Sequence, residues 1–134
     1  MTGRDRSFWW SNDSADLVDY SVGGLLAERA RTHPDRVAVV GVGHGSGDEI
    51  RRTYAELYDE AGRVATALSS LVERGSYVAI WAPNVIEWTI VQYGAAIAGV
   101  VLVALNPALR EPELVSALEH PGTSLLLQPG PRAD

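Results

Sequence analysis

Residues 77–118 constrain the fold of this chain more than any other segment, because two short apolar runs there are each followed by a helix-start signal. The first run, residues 78–81, is followed by Asn84 and Glu87. Asn84 is expected to cap a helix, and Glu87, three residues further on, to return a hydrogen bond to the cap. Gly99 is expected to end that helix.

The second apolar run covers residues 100–105 and is rich in β-branched side chains, which favour strands. Pro112 suits the first turn of a following helix, where its missing N–H is not needed, and this helix is predicted to end at His120. Residues 124–128 form a third apolar run. The order strand, helix, strand, helix, strand predicts a short parallel sheet covered by helices.

Upstream of the sheet the sequence predicts a helix and a hairpin. Ser21 is a candidate N-cap for a helix that runs through Thr32. The apolar face of this helix is expected to consist of Val22, Leu25, Leu26 and Ala30. Residues 37–42 are a predicted strand, and residues 50–54 are its expected antiparallel partner across a glycine-rich loop.

A second upstream helix is predicted from Thr53 and Glu56, which have the spacing of a capping box, and is expected to end near Gly75. Its apolar stripe consists of Leu57, Ala61, Val64, Leu68 and Leu71. The predicted fold class is therefore α/β: a partial three-layer fold with a short parallel sheet, preceded by a helix, a β-hairpin and a capped helix.

Several of these segments together resemble the AMP-forming acyl-CoA synthetases, and most of all their fatty-acyl branch. The matching segments keep the family's order along the chain. They are residues 25–30, residues 33–36, residues 53–57, residues 78–88, residues 99–107, Arg110, Glu113 and Leu114. The resemblance covers roughly residues 20–127. It makes residues 20–128 the synthetase-like subdomain. The aperiodic composition of residues 1–19 predicts a loosely ordered arm, and residues 129–134 are expected to be a frayed end.

The family activates a fatty or carboxylic acid with ATP and magnesium to an acyl-adenylate and then transfers the acyl group to coenzyme A. The resemblance implies a phosphate loop, an adenylate-binding segment and a mobile C-terminal domain, and none of these motifs occurs in this sequence. No catalytic, cofactor-binding or metal-binding residue is therefore carried over to it. The expectation is a truncated fatty-acid CoA ligase fragment that is inactive alone and needs no cofactor by itself. Whether the chain is an enzyme does not follow from the resemblance.

The composition excludes several classes of function. The net charge is −6 and the eleven basic residues, all Arg, are scattered, so nucleic acid is not an expected partner. The absence of cysteine excludes disulfides and thiolate metal sites, and a cytoplasmic location is expected.

The absence of Lys removes a residue that the family uses for adenylation, and codon bias in a GC-rich genome explains this more simply than function does. Polar residues interrupt residues 78–105, so no transmembrane segment is expected.

The glycine-rich segment, residues 41–47, superficially matches a dinucleotide fingerprint, which would make the chain a small nucleotide-binding switch. A phosphate loop must lead directly into a helix, whereas here Asp48 and Glu49 lead into a predicted strand. A hairpin loop is therefore the favoured interpretation. Arg51 and Arg52 could hold an anion, but strand alternation places them on opposite faces and favours solvated charges.

The remaining candidate side chains also have simpler structural explanations. His33, His44 and His120 lack metal-ligand spacing, and two of them lie at expected helix ends. Glu87 and Trp88 lie beyond the end of a predicted strand, where α/β sheets bind ligands, but capping explains Glu87 more simply.

Two sequence features point to contacts beyond the sheet itself. The triplet at residues 8–10 is aromatic, and it is expected to pack on the domain's own surface, with a membrane or a partner as the alternative. An unpaired sheet edge would favour self-association or the binding of a synthetase partner, as in a split subunit.

Overall fold

The computed structural model describes residues 18–45 and 47–130, and the predicted order of elements is confirmed there. The elements are α1 (Val22–Thr32), β1 (Val37–Val42), β2 (Glu49–Thr53), α2 (Tyr54–Leu71), β3 (Tyr77–Trp81), α3 (Ile86–Ala98), β4 (Val101–Leu105), α4 (Glu111–Glu119) and β5 (Leu125–Leu127). The aromatic triplet and most of the predicted arm and tail lie outside the described residues.

The strands form two sheets. β1 and β2 pair as an antiparallel hairpin, whereas β3, β4 and β5 form a parallel sheet in the order β4-β3-β5. In the central strand, Val78 is in register with Leu102 on one side and with Leu125 on the other. The chain thus passes from β3 to β4 on one side and then crosses back over β3 to β5 on the other side. The direction of winding therefore reverses at β3.

The core consists of two clusters of buried apolar side chains that share α2 and α3. One cluster, Leu68, Val78, Ala95 and Val100, packs helix side chains against the parallel sheet. The other, Leu26, Leu57 and Ala61, joins α1 to α2 and is closed by side chains of β1 and α3. The two helices therefore form the layer that connects the hairpin to the parallel sheet.

The predicted capping interactions of the first two helices are confirmed. The Ser21 hydroxyl accepts a hydrogen bond from the Gly24 N–H at 3.1 Å. Thr53 and Glu56 form the full capping box: the Glu56 N–H donates to the Thr53 hydroxyl at 3.2 Å, and the Thr53 N–H donates to the Glu56 carboxylate at 2.8 Å. These bonds satisfy N–H groups that have no partner within the helix.

The predicted apolar faces of α1 and α2 are partly wrong. Val22 and Leu25 are 57% and 41% exposed, and Gly23 is buried instead because α3 approaches closely there. In α2, Leu71 is 65% exposed and Ala65 is buried. A stripe spaced by three and four residues drifts around a helix of 3.6 residues per turn, so its last member leaves the packed face. The helix also ends at Leu71, before the predicted stop at Gly75.

The parallel sheet is covered unevenly. The last helix, α4, contains no fully buried residue. Within the described residues no further strand pairs with the outer sides of β4 or β5, so the predicted open sheet edge is present. None of the helices in this part of the chain is long and apolar enough to span a membrane.

Candidate functional site

A cleft of about 380 Å³ lies at the carboxyl ends of β3 and β5. Its apolar walls include Ile80, Trp88, Val91, Leu127 and Pro129. Its polar lining comes from His44, Glu87 and Gln128. The hairpin, the first turns of α3 and the segment after β5 therefore all contribute to one site.

The position of the cleft follows from the order of the strands. In open α/β sheets, ligands bind beyond the carboxyl ends of the strands where the direction of winding reverses, because the loops there diverge and leave a crevice. The reversal occurs between β3 and β5, and the cleft opens at that point. Glu87 and Trp88, for which substrate contact was the less favoured interpretation, both line the cleft.

The predicted capping pair of Asn84 and Glu87 is wrong. α3 begins one residue later than expected, with Val85 at the N-cap and no side-chain capping bond. Asn84 is therefore not the cap residue, and Glu87 is the second helical residue and not the third, which a capping box requires. The Glu87 carboxylate instead accepts a hydrogen bond from the backbone N–H of His44 at 3.2 Å. It thus joins the tip of the hairpin to the first turn of α3.

Replacing Glu87 with alanine is expected to loosen the hairpin tip. The change removes the acceptor of the His44 N–H and a negative charge from the first turn of a helix, and we expect a loss of about 1 kcal/mol in the free energy of unfolding. Hydrogen exchange measured by NMR should speed up at the His44 amide. Glu111→Ala is the matched control, because Glu111 lies in the first turn of α4 and has no bond to the hairpin. Unchanged exchange at His44 in the Glu87 variant would contradict the predicted role.

The cleft suits an uncharged apolar group better than an anion. The residues that line it include the Glu87 carboxylate but no Arg, and the chain contains no Lys. A phosphate or carboxylate in the cleft would therefore meet a like charge and no cationic partner. The lining of this cleft therefore offers no Arg or Lys to the phosphate groups of ATP or coenzyme A. The described residues contain no cluster of three or more His, Asp or Glu side chains that could hold a metal ion.

The glycine-rich loop is a hairpin connection, as predicted. It joins β1 to β2, and the Gly43 N–H donates to the Asp48 carbonyl at 3.3 Å. Gly45 and Gly47 have φ values of 88° and 70°, which side chains other than glycine adopt rarely. A strand and not a helix follows the loop, so it presents no helix N-terminus to a phosphate.

The structure separates the two adjacent arginines of β2. Arg51 pairs with Glu49 on the exposed face, in agreement with the prediction of a solvated charge. Arg52 departs from that prediction: its guanidinium contacts the Glu60 carboxylate of α2 at 2.8 Å, and both side chains are only partly exposed, at 30% and 24%. This ion pair fixes the hairpin against α2. His33 and His120 lie at the C-caps of α1 and α4, as predicted.

Comparison with known proteins identifies relatives for most of the chain. The family described as AMP-binding enzyme matches residues 26–133. The mitochondrial medium-chain acyl-CoA ligase ACSF2 of Danio rerio is 37% identical over 106 residues, which are 78% of this chain and 17% of that protein. The putative acyl-CoA synthetase YngI of Bacillus subtilis is 35% identical over 114 residues, which are 84% of this chain and 20% of that protein.

Solved structures give the same result. The N-terminal domain of FACL13 from Mycobacterium tuberculosis superposes with a TM-score of 0.73 at 32% identity, covering 81% of this chain and 27% of that one. A fatty acyl CoA synthetase of the same organism superposes with a TM-score of 0.69 at 30% identity, covering 81% of this chain and 21% of that one. The chain spans about a fifth of the length of the curated relatives that it matches.

Proposed function

The chain belongs to the AMP-binding enzyme family, and on this premise we propose that it serves as the amino-terminal α/β scaffold of a fatty-acid CoA ligase. The reaction of such a ligase activates a carboxylic acid with ATP and magnesium and transfers the acyl group to coenzyme A. The observation that carries the proposal is the β4-β3-β5 sheet with its layer of α2 and α3, which superposes on an N-terminal synthetase domain.

The described residues supply a wall and not the reacting groups. Adenylyl transfer depends on cations that neutralise the phosphates and on groups that position the carboxylate. The cleft lining offers Glu87 and no cation, and we therefore propose that the residues that bind ATP, magnesium and coenzyme A come from other parts of a whole ligase. The contribution of this chain is to fix the sheet, the hairpin tip and the first turn of α3 relative to one another.

A chimera tests the scaffold role directly. The matching segment of the Mycobacterium tuberculosis fatty acyl CoA synthetase would be replaced by residues 18–130 of this chain. We expect acid-dependent exchange between ATP and pyrophosphate to be retained, because the two folds superpose. A second chimera that also carries Val78→Asp is the control and should lose the exchange. A first chimera that folds cooperatively but shows no exchange would contradict the proposal.

The isolated chain provides the complementary test. The purified 134-residue protein should show no exchange between ATP and pyrophosphate above a no-enzyme control, with the whole Mycobacterium tuberculosis enzyme as the positive control. Exchange above the control would show that the chain carries adenylation chemistry that its cleft does not reveal.

A second candidate function is that of a non-catalytic module or split subunit that docks onto a synthetase chain. The open outer sides of the parallel sheet, at β4 and β5, favour it, because a strand of another chain can pair there. A synthetase variant lacking the matching segment would be mixed with this chain. Recovery of exchange on mixing supports docking, and its absence, when both proteins are folded, contradicts it.

We place this function in the cytoplasm and in fatty-acid metabolism. The absence of cysteine suits a reducing compartment, and the relatives include medium-chain acyl-CoA ligases. Several vertebrate relatives are named as mitochondrial proteins, so fractionation of the source cells decides between compartments.

A further inference from the structure

The indole of Trp88 borders two clefts at the carboxyl ends of the parallel strands. It lines the cleft of the candidate site, and it also lines a second cleft of about 330 Å³ at the end of β4, together with Asn84 and Pro107. Trp88 and Ala82 are the residues that the two linings share. An aromatic ring that borders open space on two sides is accessible to a ligand and combines a large apolar surface with a negative face.

The Glu87 carboxylate lies at the candidate cleft and can accept further hydrogen bonds there. One of its oxygens accepts the His44 N–H at 3.2 Å. A carboxylate has about four acceptor positions on its two oxygens, so this one bond leaves most of them open. Among the described residues, neither an Arg nor a His side chain forms an ion pair with Glu87. The cleft therefore presents a negative charge that lacks a cationic partner.

The two arginines that border the next groove do not neutralise this charge. Arg52 and Arg63 line a groove between β2, α2 and α3 that Glu87 also lines. Arg52 contacts Glu60 at 2.8 Å, and Arg63 contacts Asp59 at 2.7 Å. Each arginine thus has a carboxylate of its own, and the charge of Glu87 remains. The net charge of −6 adds a field that attracts cations to the chain as a whole.

We propose that the cleft binds a small organic ammonium ion, that is, a molecule with an apolar body and one positively charged end. The hydrocarbon body packs against the apolar walls, which include Ile80, Val91 and Leu127. The ammonium group lies between the Glu87 carboxylate and the face of Trp88. Trp is the strongest of the aromatic side chains in attracting a cation, and a carboxylate adds a charge-assisted hydrogen bond. An anion of the same size would be repelled by Glu87 instead.

The size and exposure of the cleft set the expected affinity. Its volume of about 380 Å³ lies at the lower end of the range of small-molecule sites, which is about 300–1,000 Å³. The Glu87 side chain is exposed, so its attraction for a cation is screened by water and salt. For a ligand of about seven non-hydrogen atoms we therefore expect a dissociation constant on the order of 1 mM.

Three probes with the same hydrocarbon chain test the preference for a positive end. Hexylammonium, hexan-1-ol and hexanoate would be titrated into the isotope-labelled full chain, and its amide and indole signals would be followed by NMR. We expect hexylammonium to shift the signals of His44, Trp88 and Leu127. It should bind about threefold more tightly than hexan-1-ol and about tenfold more tightly than hexanoate. Added salt should weaken the binding of hexylammonium and leave that of hexan-1-ol unchanged.

Two variants separate the charge of the cleft from its shape. In Glu87→Gln the amide oxygen can still accept the His44 N–H, but the affinity for hexylammonium should fall about fivefold while that for hexan-1-ol is kept. Trp88→Leu keeps an apolar wall without an aromatic face and should cost hexylammonium about threefold. Glu111→Gln is the matched control, because Glu111 also lies in the first turn of a helix but outside the cleft lining, and it should leave all affinities unchanged.

The proposal is overturned if hexanoate binds as tightly as hexylammonium, or if Glu87→Gln leaves the affinity for hexylammonium unchanged. It is also overturned if no probe shifts the signals of His44, Trp88 and Leu127 at tens of millimolar. If Glu87→Gln fails to fold, the salt dependence and the comparison with hexanoate decide. These outcomes do not depend on the proposed ligase role, because the titrations need no enzymatic activity.

Discussion

Replacing Gly94 with alanine is expected to lower the free energy of unfolding by about 2 kcal/mol, although the same change usually stabilises a helix by up to about 1 kcal/mol. Gly94 is buried in α3 where that helix crosses α2. A Cβ added there would lie 2.6 Å from a Val64 methyl carbon and 3.0 Å from the Ala61 carbonyl oxygen. Rotation of the Val64 side chain would not relieve this contact, because the Val64 Cβ itself would lie 2.7 Å away, so the two helices would have to separate.

Gly62→Ala is the matched control for this prediction. Gly62 also lies within a helix, but a Cβ at that position meets nothing within 4 Å. That variant should gain about 0.5–1 kcal/mol, because alanine lowers the backbone entropy of the unfolded chain. Thermal unfolding followed by circular dichroism should show a melting temperature about 5–10 °C lower for Gly94→Ala and a higher one for Gly62→Ala. Equal shifts in the same direction would contradict the close approach of α2 and α3.

The elements of this fold are predictable from local signals, whereas their packed faces are not. The Thr53 and Glu56 capping box, the Ser21 cap and the Gly99 stop act within one turn of chain, and each is found in the structure. The burial of Ala65 in place of Leu71 depends on where α3 crosses α2. That crossing depends on Gly94, whose role cannot be read from sequence periodicity.

The candidate site was likewise only partly predictable from local sequence signals. The rule that ligands bind beyond strand ends drew attention to Glu87 and Trp88, yet the cleft needs the strand order β4-β3-β5 to bring Leu127 beside them. The bond from the His44 N–H to Glu87 spans 43 residues and has no local signal. The Asn84 cap was wrong for a local reason, because α3 begins one residue later than the motif implied.

Replacing Val78 with aspartate is expected to lower the free energy of unfolding at neutral pH by about 4 kcal/mol or more. Val78 is fully buried in the central strand, between Leu102 and Leu125 of its two neighbours and beneath Leu68 and Ala95. No cationic or polar side chain in this cluster could pair with the new carboxylate. The penalty for a buried unpaired charge is about 4 kcal/mol or more, which is comparable to the whole stability of a small domain.

Three further variants separate the effect of the buried charge from the effects of lost side-chain volume and of the position in the strand. Val78→Ala removes volume only and should destabilise by about 2–3 kcal/mol. Val40→Asp places the same carboxylate on a strand residue that is 47% exposed, and should change stability by less than about 1 kcal/mol. Val78→Asn buries a polar group that cannot titrate. Urea unfolding of the four proteins at neutral pH should therefore rank Val78→Asp as the least stable.

The pH dependence of the stability difference between Val78→Asp and Val78→Asn shows whether the buried charge causes the destabilisation. Burial disfavours the ionised form, so the pKa of the introduced carboxyl in the folded state lies above its unfolded value of about 4. A raised carboxyl pKa means that the folded state binds the proton more tightly than the unfolded state does. The loss of stability caused by the buried charge is therefore complete above the folded pKa and shrinks as the pH falls towards 4. The stability difference between Val78→Asp and Val78→Asn should narrow over that range. A difference that is independent of pH would mean that water or a partner reaches the strand, and that the sheet is less well covered by α2 and α3 than its packing indicates.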